Sequence, residues 1–140
     1  MITLQENTLI TAQYLAIRQQ VGWKQLEVKQ AEKALANSLY VVTAYEKDTL
    51  VGMGRIVGDG AVICYVQDLI VVPESQGKGI GSAILSKLTE FVDGLRDENS
   101  EMMFCLMCAK GREAFYEKHG FMARPTKQLG PGMIQYLRDK

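Results

Sequence analysis

The chain has 140 residues, with 16 Lys and Arg against 16 Asp and Glu, so its formal net charge is zero. That length predicts one domain, residues 1–140, with room for a hydrophobic core. The balanced charge argues against nucleic acid as a partner. Met1 to Ile10 lacks a signal-peptide pattern and no long uncharged apolar run follows, so a cytoplasmic protein without membrane association is expected. Three cysteines are too few, and odd in number, for a disulfide framework.

Ile2 to Gln5 reads as a short first strand. Ile10, Tyr14, Ile17 and Val21 recur at helical spacing, which predicts a helix over 9–21 that ends at Gly22, with Trp23 in the bend. A second helix over about 26–36 places Val28, Ala31 and Leu35 on one face. The period then changes to two. Residues 40–45, 49–57 and 61–72 predict three antiparallel strands joined by Glu46-Lys47-Asp48 and Gly58-Asp59-Gly60. Gly52 and Gly54 inside the second of these suggest a bulge or a close approach of another group to the backbone.

A turn containing Pro73 leads to Gly77, Gly79 and Gly81 and then to a helix with Ile80, Ile84, Leu88, Phe91 and Leu95 on its apolar face. Met102 to Met107 is a continuous apolar run, the mark of a strand covered on both faces. Because a helix separates it from the preceding strand, the two should be parallel by a right-handed crossover. A helix over about 110–119 stops at Gly120, and closing strands are expected from Phe121 onward and over Met133 to Leu137. The expected order, β-α-α-β-β-β-α-β-α-β-β, is an α/β plan with a mixed, mostly antiparallel sheet flanked by helices.

Glycines at a strand-to-helix junction let an oxygen-rich ligand approach the first amides of the helix, where the macrodipole is positive. A Walker loop would need glycine at Val72 and a hydroxyl at Gly79, and fails at both ends. A dinucleotide fingerprint fails at Ser82, and no acidic residue ends the strand over 102–108. Gln76-Gly77-Lys78-Gly79-Ile80-Gly81 instead satisfies Gln/Arg-x-x-Gly-x-Gly/Ala at every fixed position. The plainer alternative is a tight turn with no ligand.

This segment, preceded by Val71-Val72-Pro73-Glu74-Ser75, resembles the acyl-CoA-binding segment of the GNAT superfamily of N-acetyltransferases. Ala114-Phe115-Tyr116-Glu117-Lys118-His119-Gly120-Phe121 resembles a second marker of that family. Arg18-Gln19-Gln20-Val21-Gly22-Trp23, Gly54 to Gly60 and Gly130-Pro131-Gly132-Met133 are similar to a bacterial subgroup whose acceptors are poorly defined. The resemblance implies the GNAT fold, with a parallel strand pair at the cofactor cleft, and transfer of acetyl from acetyl-CoA to a primary amine by direct attack in a ternary complex.

It also implies site residues. The pantetheine arm would meet the backbone of Ile70, Val71 and Val72. The pyrophosphate would meet Gln76, Gly77, Lys78, Gly79, Ile80, Gly81 and Ser82, and the thioester end Phe115 and Tyr116. Lys78 is alternatively a solvated turn residue, and Ser82 either caps the helix or donates to phosphate. Tyr116 would protonate the departing thiolate, since a phenol with a pKa near ~10 is protonated at neutral pH. Its alternative role is packing, as for Phe115 and Phe121. Many family members carry Asn where this chain has Ala109, which removes one cofactor contact.

A base is also needed, because an alkylammonium cannot attack. Among Asp68, Gln67, Glu74 and Arg55 only the carboxylates qualify, and Asp68 is the candidate, although a structural role, anchoring a turn or pairing with Arg55, is the favoured reading. A backbone amide near Val71 is a candidate oxyanion donor. Tyr14, Trp23, Arg55 and Met133 are candidate acceptor-wall residues. The acceptor expected first is a small amine, then a protein amine, and a homodimer is possible. A CoA-binding sensor without turnover is the rival reading.

Cys105 and Cys108 have redox or zinc spacing, but strand alternation would put them on opposite faces, there is no second pair, and His119 is the only histidine. No metal is expected.

Overall fold

The computed structural model describes residues 1–139 as two compact units, the first spanning Met1–Leu106 and the second starting at Met107. In the first unit, β1 (Ile2–Glu6), β2 (Tyr40–Glu46), β3 (Thr49–Gly58), β4 (Ile63–Val71) and β5 (Met103–Leu106) form one sheet in that order. All pairs are antiparallel except β4 with β5, which is parallel. The chain is α/β with a mixed sheet flanked by helices, as expected.

The helices of this unit are α1 (Thr11–Gln20), α2 (Val28–Ala36) and α3 (Ile80–Leu95). The α1 helix ends at Gly22, whose φ of +73° only glycine adopts cheaply. There the Gly22 and Trp23 amides donate to the Gln19 and Arg18 carbonyls, a Schellman pattern that closes the helix. The amphipathic spacing of α1 is realised by Tyr14 and Ile17, both essentially buried, whereas Ile10 lies outside the helix and is exposed.

Neighbouring residues of a strand point to opposite faces. Arg55 faces α1 and α2, where it meets Asp68 and the Ala34 carbonyl, so Gly54 faces α3. A Cβ on Gly54 would lie 2.7 Å from Ile84 and 2.8 Å from Leu88, and one on Gly52 2.9 Å from Ile84. The two glycines therefore let α3 lie directly on the sheet, which is the close approach their sequence positions suggested. The core on this side is Ile80, Ile84, Leu85, Leu88 and Val92, with Phe91 stacked on Tyr40 at a centroid distance of 4.1 Å.

The β3–β4 register shifts once. Asp68 pairs with Arg55 and Val66 with Ile56, so Gln67 has no partner across the ladder and forms a bulge. The β4–β5 ladder ends at Val66, immediately before that bulge. From Gln67 to Val71, β4 continues along β3 without β5 beside it.

In the second unit, α4 (Glu113–Lys118) is shorter than the expected helix over 110–119, because Gly111 has a φ of +92° and breaks any earlier start. Its end is as expected: Gly120 and Phe121 donate to the Glu117 and Tyr116 carbonyls, with Gly120 at φ +93°.

Two expectations are corrected. β5 covers only 103–106 and is an edge strand of the described sheet, with Met103 50% exposed, so its apolar run is not covered on both faces. The closing strands are absent among the described residues. Pro125 and Pro131 each lack an amide donor, Gly130 and Gly132 weaken any strand, and Met133 and Leu137 are 89% and 88% exposed. Alternating apolar residues become a strand only where a ladder partner and a surface to cover are supplied.

Gly54→Ala is expected to lower stability by about 1–3 kcal/mol, since Ile84 and Leu88 must move. Gly94→Ala, in α3 with nothing within 4 Å of the added carbon, should raise it by about 0.5–1 kcal/mol. Urea denaturation of both variants checks the pair.

Candidate functional site

Ile70, Val71 and Val72 close β4, and a short 3₁₀ turn (Pro73–Ser75) carries the chain to the glycines. Two contacts hold this junction: the Val72 amide donates to the Val51 carbonyl at 2.9 Å, and Gln76 Nε2 donates to the Val71 carbonyl at 3.0 Å. Gln76 thus ties the loop back to the strand from which it came.

Gly77 and Gly79 have φ of +80° and +82°, and nothing lies within 4 Å of a Cβ built on either. The glycines are there for backbone handedness, in space that is open. Gly79 is the N-cap of α3 and supplies no side-chain cap. The amides of Ile80 and Gly81, in the first turn, have no acceptor within the helix. Ser82 sits inside that turn, so it is not the cap proposed for it from sequence. Lys78 makes a loose ion pair with Glu46 at 3.7 Å, both largely in solvent, an arrangement worth little energetically.

On the opposite face of the sheet, Asp68 is 1% exposed and fully engaged. Its Oδ2 accepts from Tyr14 Oη at 2.6 Å and from Arg55 Nε at 2.8 Å, and its Oδ1 from Arg18 Nη1 at 3.4 Å. Arg55 also donates to the Ala34 carbonyl and to Ser38 Oγ, and Arg18 to the Lys24 carbonyl at 2.9 Å. Both guanidiniums lie near the Tyr14 ring, Arg18 at 5.6 Å and Arg55 at 5.5 Å from its centroid. Burial, and then the Asp68 carboxylate beside it, raise the Tyr14 phenol above its ordinary pKa. Of the two structural roles expected for Asp68, the pairing with Arg55 is the one observed.

Three of the four acceptor-wall candidates therefore meet around one cluster: Tyr14, Arg55 and, through Arg18, Trp23, whose ring is 5.3 Å from the Arg18 guanidinium. Arg18 was not singled out as a site residue. Its signal was its place four residues after Tyr14, on the same helical face. The fourth candidate, Met133, belongs to the second unit and is exposed. Gln67 and Glu74 are exposed.

In the second unit, Tyr116 is flanked edge-to-face by Phe115 at 5.1 Å and Phe121 at 5.9 Å. Burial first, and then Cys108, raise its phenol above the ordinary value, with Arg112 opposing. The packing expected as the alternative role of Tyr116 is thus present. Cys64, Cys105 and Cys108 are free thiols, with Cys64 buried and Cys108 exposed beyond the end of β5. No helix among the described residues is long and apolar enough to cross a membrane.

This architecture has close counterparts. A GNAT acetyltransferase domain model matches residues 36–123. An uncharacterized N-acetyltransferase of Prochlorococcus marinus is 29% identical over 125 residues, covering 86% of this chain and 67% of that protein. A protein of unknown function from meticillin-resistant Staphylococcus aureus superposes with a TM-score of 0.84 at 32% identity, over 97% of this chain and all of that one. A GNAT-family acetyltransferase of Streptococcus pneumoniae gives 0.83 at 31%, over 99% of this chain and all of its own. Matched by that family model over more than half its length and by these structures over nearly all of it, the chain belongs to the GNAT family of acetyltransferases.

Proposed function

We propose that the chain transfers the acetyl group of acetyl-CoA to the primary amine of a small molecule, by direct attack in a ternary complex. The observation that carries this reading is the run from Gln67 to Gly81. There a strand edge released by a bulge leads without interruption into a left-handed glycine loop and a helix N-terminus. Strand amides and carbonyls suit the amide-bearing pantetheine arm. The Ile80 and Gly81 amides, with the positive end of the α3 dipole, suit the pyrophosphate. Lys78 exchanges its weak pair with Glu46 for a phosphate at little expense.

In this reading the neutral amine attacks the thioester carbonyl, the tetrahedral oxyanion is met by a backbone amide near Val71, and the C–S bond breaks. Tyr116 gives its proton to the thiolate, and the proton lost by the amine leaves to solvent. Asp68 is not assigned the role of base. It is 1% exposed, and two guanidiniums and a phenol already take both of its oxygens, so neither oxygen is directed at an incoming amine. A base reached through water fits the exposed Glu74 better.

Calorimetric titration with acetyl-CoA, followed by thiol release across a panel of amines, tests the reading. Binding and release for one class of amine are expected. Binding without release from any amine would favour an acyl-CoA sensor, and no binding would remove the cradle assignment.

Tyr116→Phe should lower kcat about a hundredfold or more, while calorimetry finds acetyl-CoA binding largely kept. The raised phenol pKa also sets a sign. The protonated donor persists beyond the ordinary tyrosine range near ~10, so the alkaline fall of kcat should lie above that range and disappear in Tyr116→Phe. The same shift stabilises the fold below the ordinary tyrosine pKa, and that contribution is lost as pH rises through the raised value. Phenolate absorbance recorded during alkaline unfolding should show ionisation of Tyr14 and Tyr116 accompanying loss of structure, beyond the ordinary tyrosine range near ~10.

A further inference from the structure

The cluster beneath α1 and α2 is unbalanced in charge. Arg18 and Arg55, whose side chains are 12% and 8% exposed, share the single carboxylate of Asp68. Among the described residues no other Asp or Glu lies within ion-pair distance of either guanidinium. Tyr14 is held neutral by burial and by Asp68, so the group carries one positive charge in excess. The remaining contacts are neutral acceptors, namely the Ala34 and Lys24 carbonyls and Ser38 Oγ. They solvate the cations without neutralising them.

Buried cations are ordinarily matched by anions, and a buried donor without an acceptor requires an explanation. Arg18 Nε is such a donor, with no hydrogen-bond partner. Its guanidinium lies against Trp23, which is 39% exposed, and donates to the carbonyl of Lys24, an exposed residue of the turn between α1 and α2. The guanidinium that carries the orphaned donor is thus in contact with the turn between α1 and α2. Movement of Trp23 and release of the Lys24 carbonyl would open it.

We propose that the acceptor amine also carries an anionic group, a carboxylate or a phosphate, and that Arg18, backed by Arg55, receives it in exchange for the Lys24 carbonyl. The proposal rests on the acetyl-transfer reading and narrows its substrate class. Arg18 is suited to the task because a guanidinium offers two parallel donors to a planar or tetrahedral oxyanion, and charge-assisted pairs of this kind are the strong ones. Asp68 holds Arg18 through one nitrogen only, at 3.4 Å, leaving the Nε edge for the ligand. Arg55, bound more tightly at 2.8 Å, keeps the carboxylate in place. Trp23 adds an apolar wall that dries the pair and strengthens it. The zero net charge of the chain does not oppose this, since the local excess sits in one buried place.

The test compares amines that differ only in the acid. Amino acids are assayed against their carboxamides, and phosphoethanolamine against ethanolamine, by initial rates of thiol release. The anionic member of one pair should have a kcat/KM at least about tenfold above its neutral mate, and which pair does so separates carboxylate from phosphate. Arg18→Gln should bring that ratio close to one, chiefly by raising KM for the anionic amine, with thermal unfolding and acetyl-CoA titration confirming an intact fold. If Arg18→Gln does not fold, Arg18→Lys, which keeps the charge and removes Nε, should reduce the ratio without abolishing it. Equal use of neutral and anionic amines, or an unaltered preference in the variants, overturns the proposal. If no amine releases thiol, direct calorimetry with the same compounds separates the two readings. Binding of an anionic amine that is lost in the Arg18 variant retains the anion site and removes only acetyl transfer, whereas no binding removes the site.

Discussion

The Asp68 carboxylate is the point on which the first unit turns. It sits on the central part of β4, next to the bulged Gln67, and reaches α1 through Tyr14 and Arg18 and β3 through Arg55. Arg55 carries the connection on to the end of α2 at Ala34 and to Ser38. One side chain thereby couples two helices and two strands. A buried charge is a poor source of net stability, because desolvation offsets most of the attraction, yet removing one partner is strongly unfavourable. The cluster joins residues on either side of the β3–β4 ladder to α1, beside the bulge at Gln67.

That arrangement positions the opposite face as well. Because the bulge changes which face each residue of β4 presents, it separates the part of the strand that pairs with β5 from the part that does not. Beyond it lie the junction pinned by Gln76 and the first turn of α3, which rests on Gly52 and Gly54. The polar cluster lies on one face of the sheet and the contact of α3 with Gly52 and Gly54 on the other, and both flank the pairing of β3 with Leu69 and Val71.

Much of this was legible in the chain. The change of hydrophobic period from helical to alternating after Ala36 marked the meander, and the glycines at 22 and 120 marked helix ends that the structure closes with matching hydrogen bonds. Gly52 and Gly54 announced a close approach. What escaped had physical causes. The bulge at Gln67 depends on a register set by the partner strand, which no local pattern encodes. Arg18 looks like any polar residue of an amphipathic helix until Asp68 and Trp23 are brought beside it from elsewhere in the sequence. The apolar residues from Met133 to Leu137 have strand composition, but composition cannot provide a ladder, and the prolines and glycines before them interrupt one.

The glycines of the chain also divide by what forbids their replacement. At Gly58, with a φ of +139°, an added Cβ would lie 2.4 Å from the Ile63 carbonyl oxygen, so no side chain of any kind fits. At Gly77 and Gly79 the surroundings are open and the obstacle is handedness alone. The cradle is in this sense a chiral requirement rather than a steric one. A D-alanine, whose preferred backbone is the mirror image of the L form, would rest there without strain, and asparagine, which tolerates the left-handed region better than other L residues, is the replacement the unliganded loop would accept most readily.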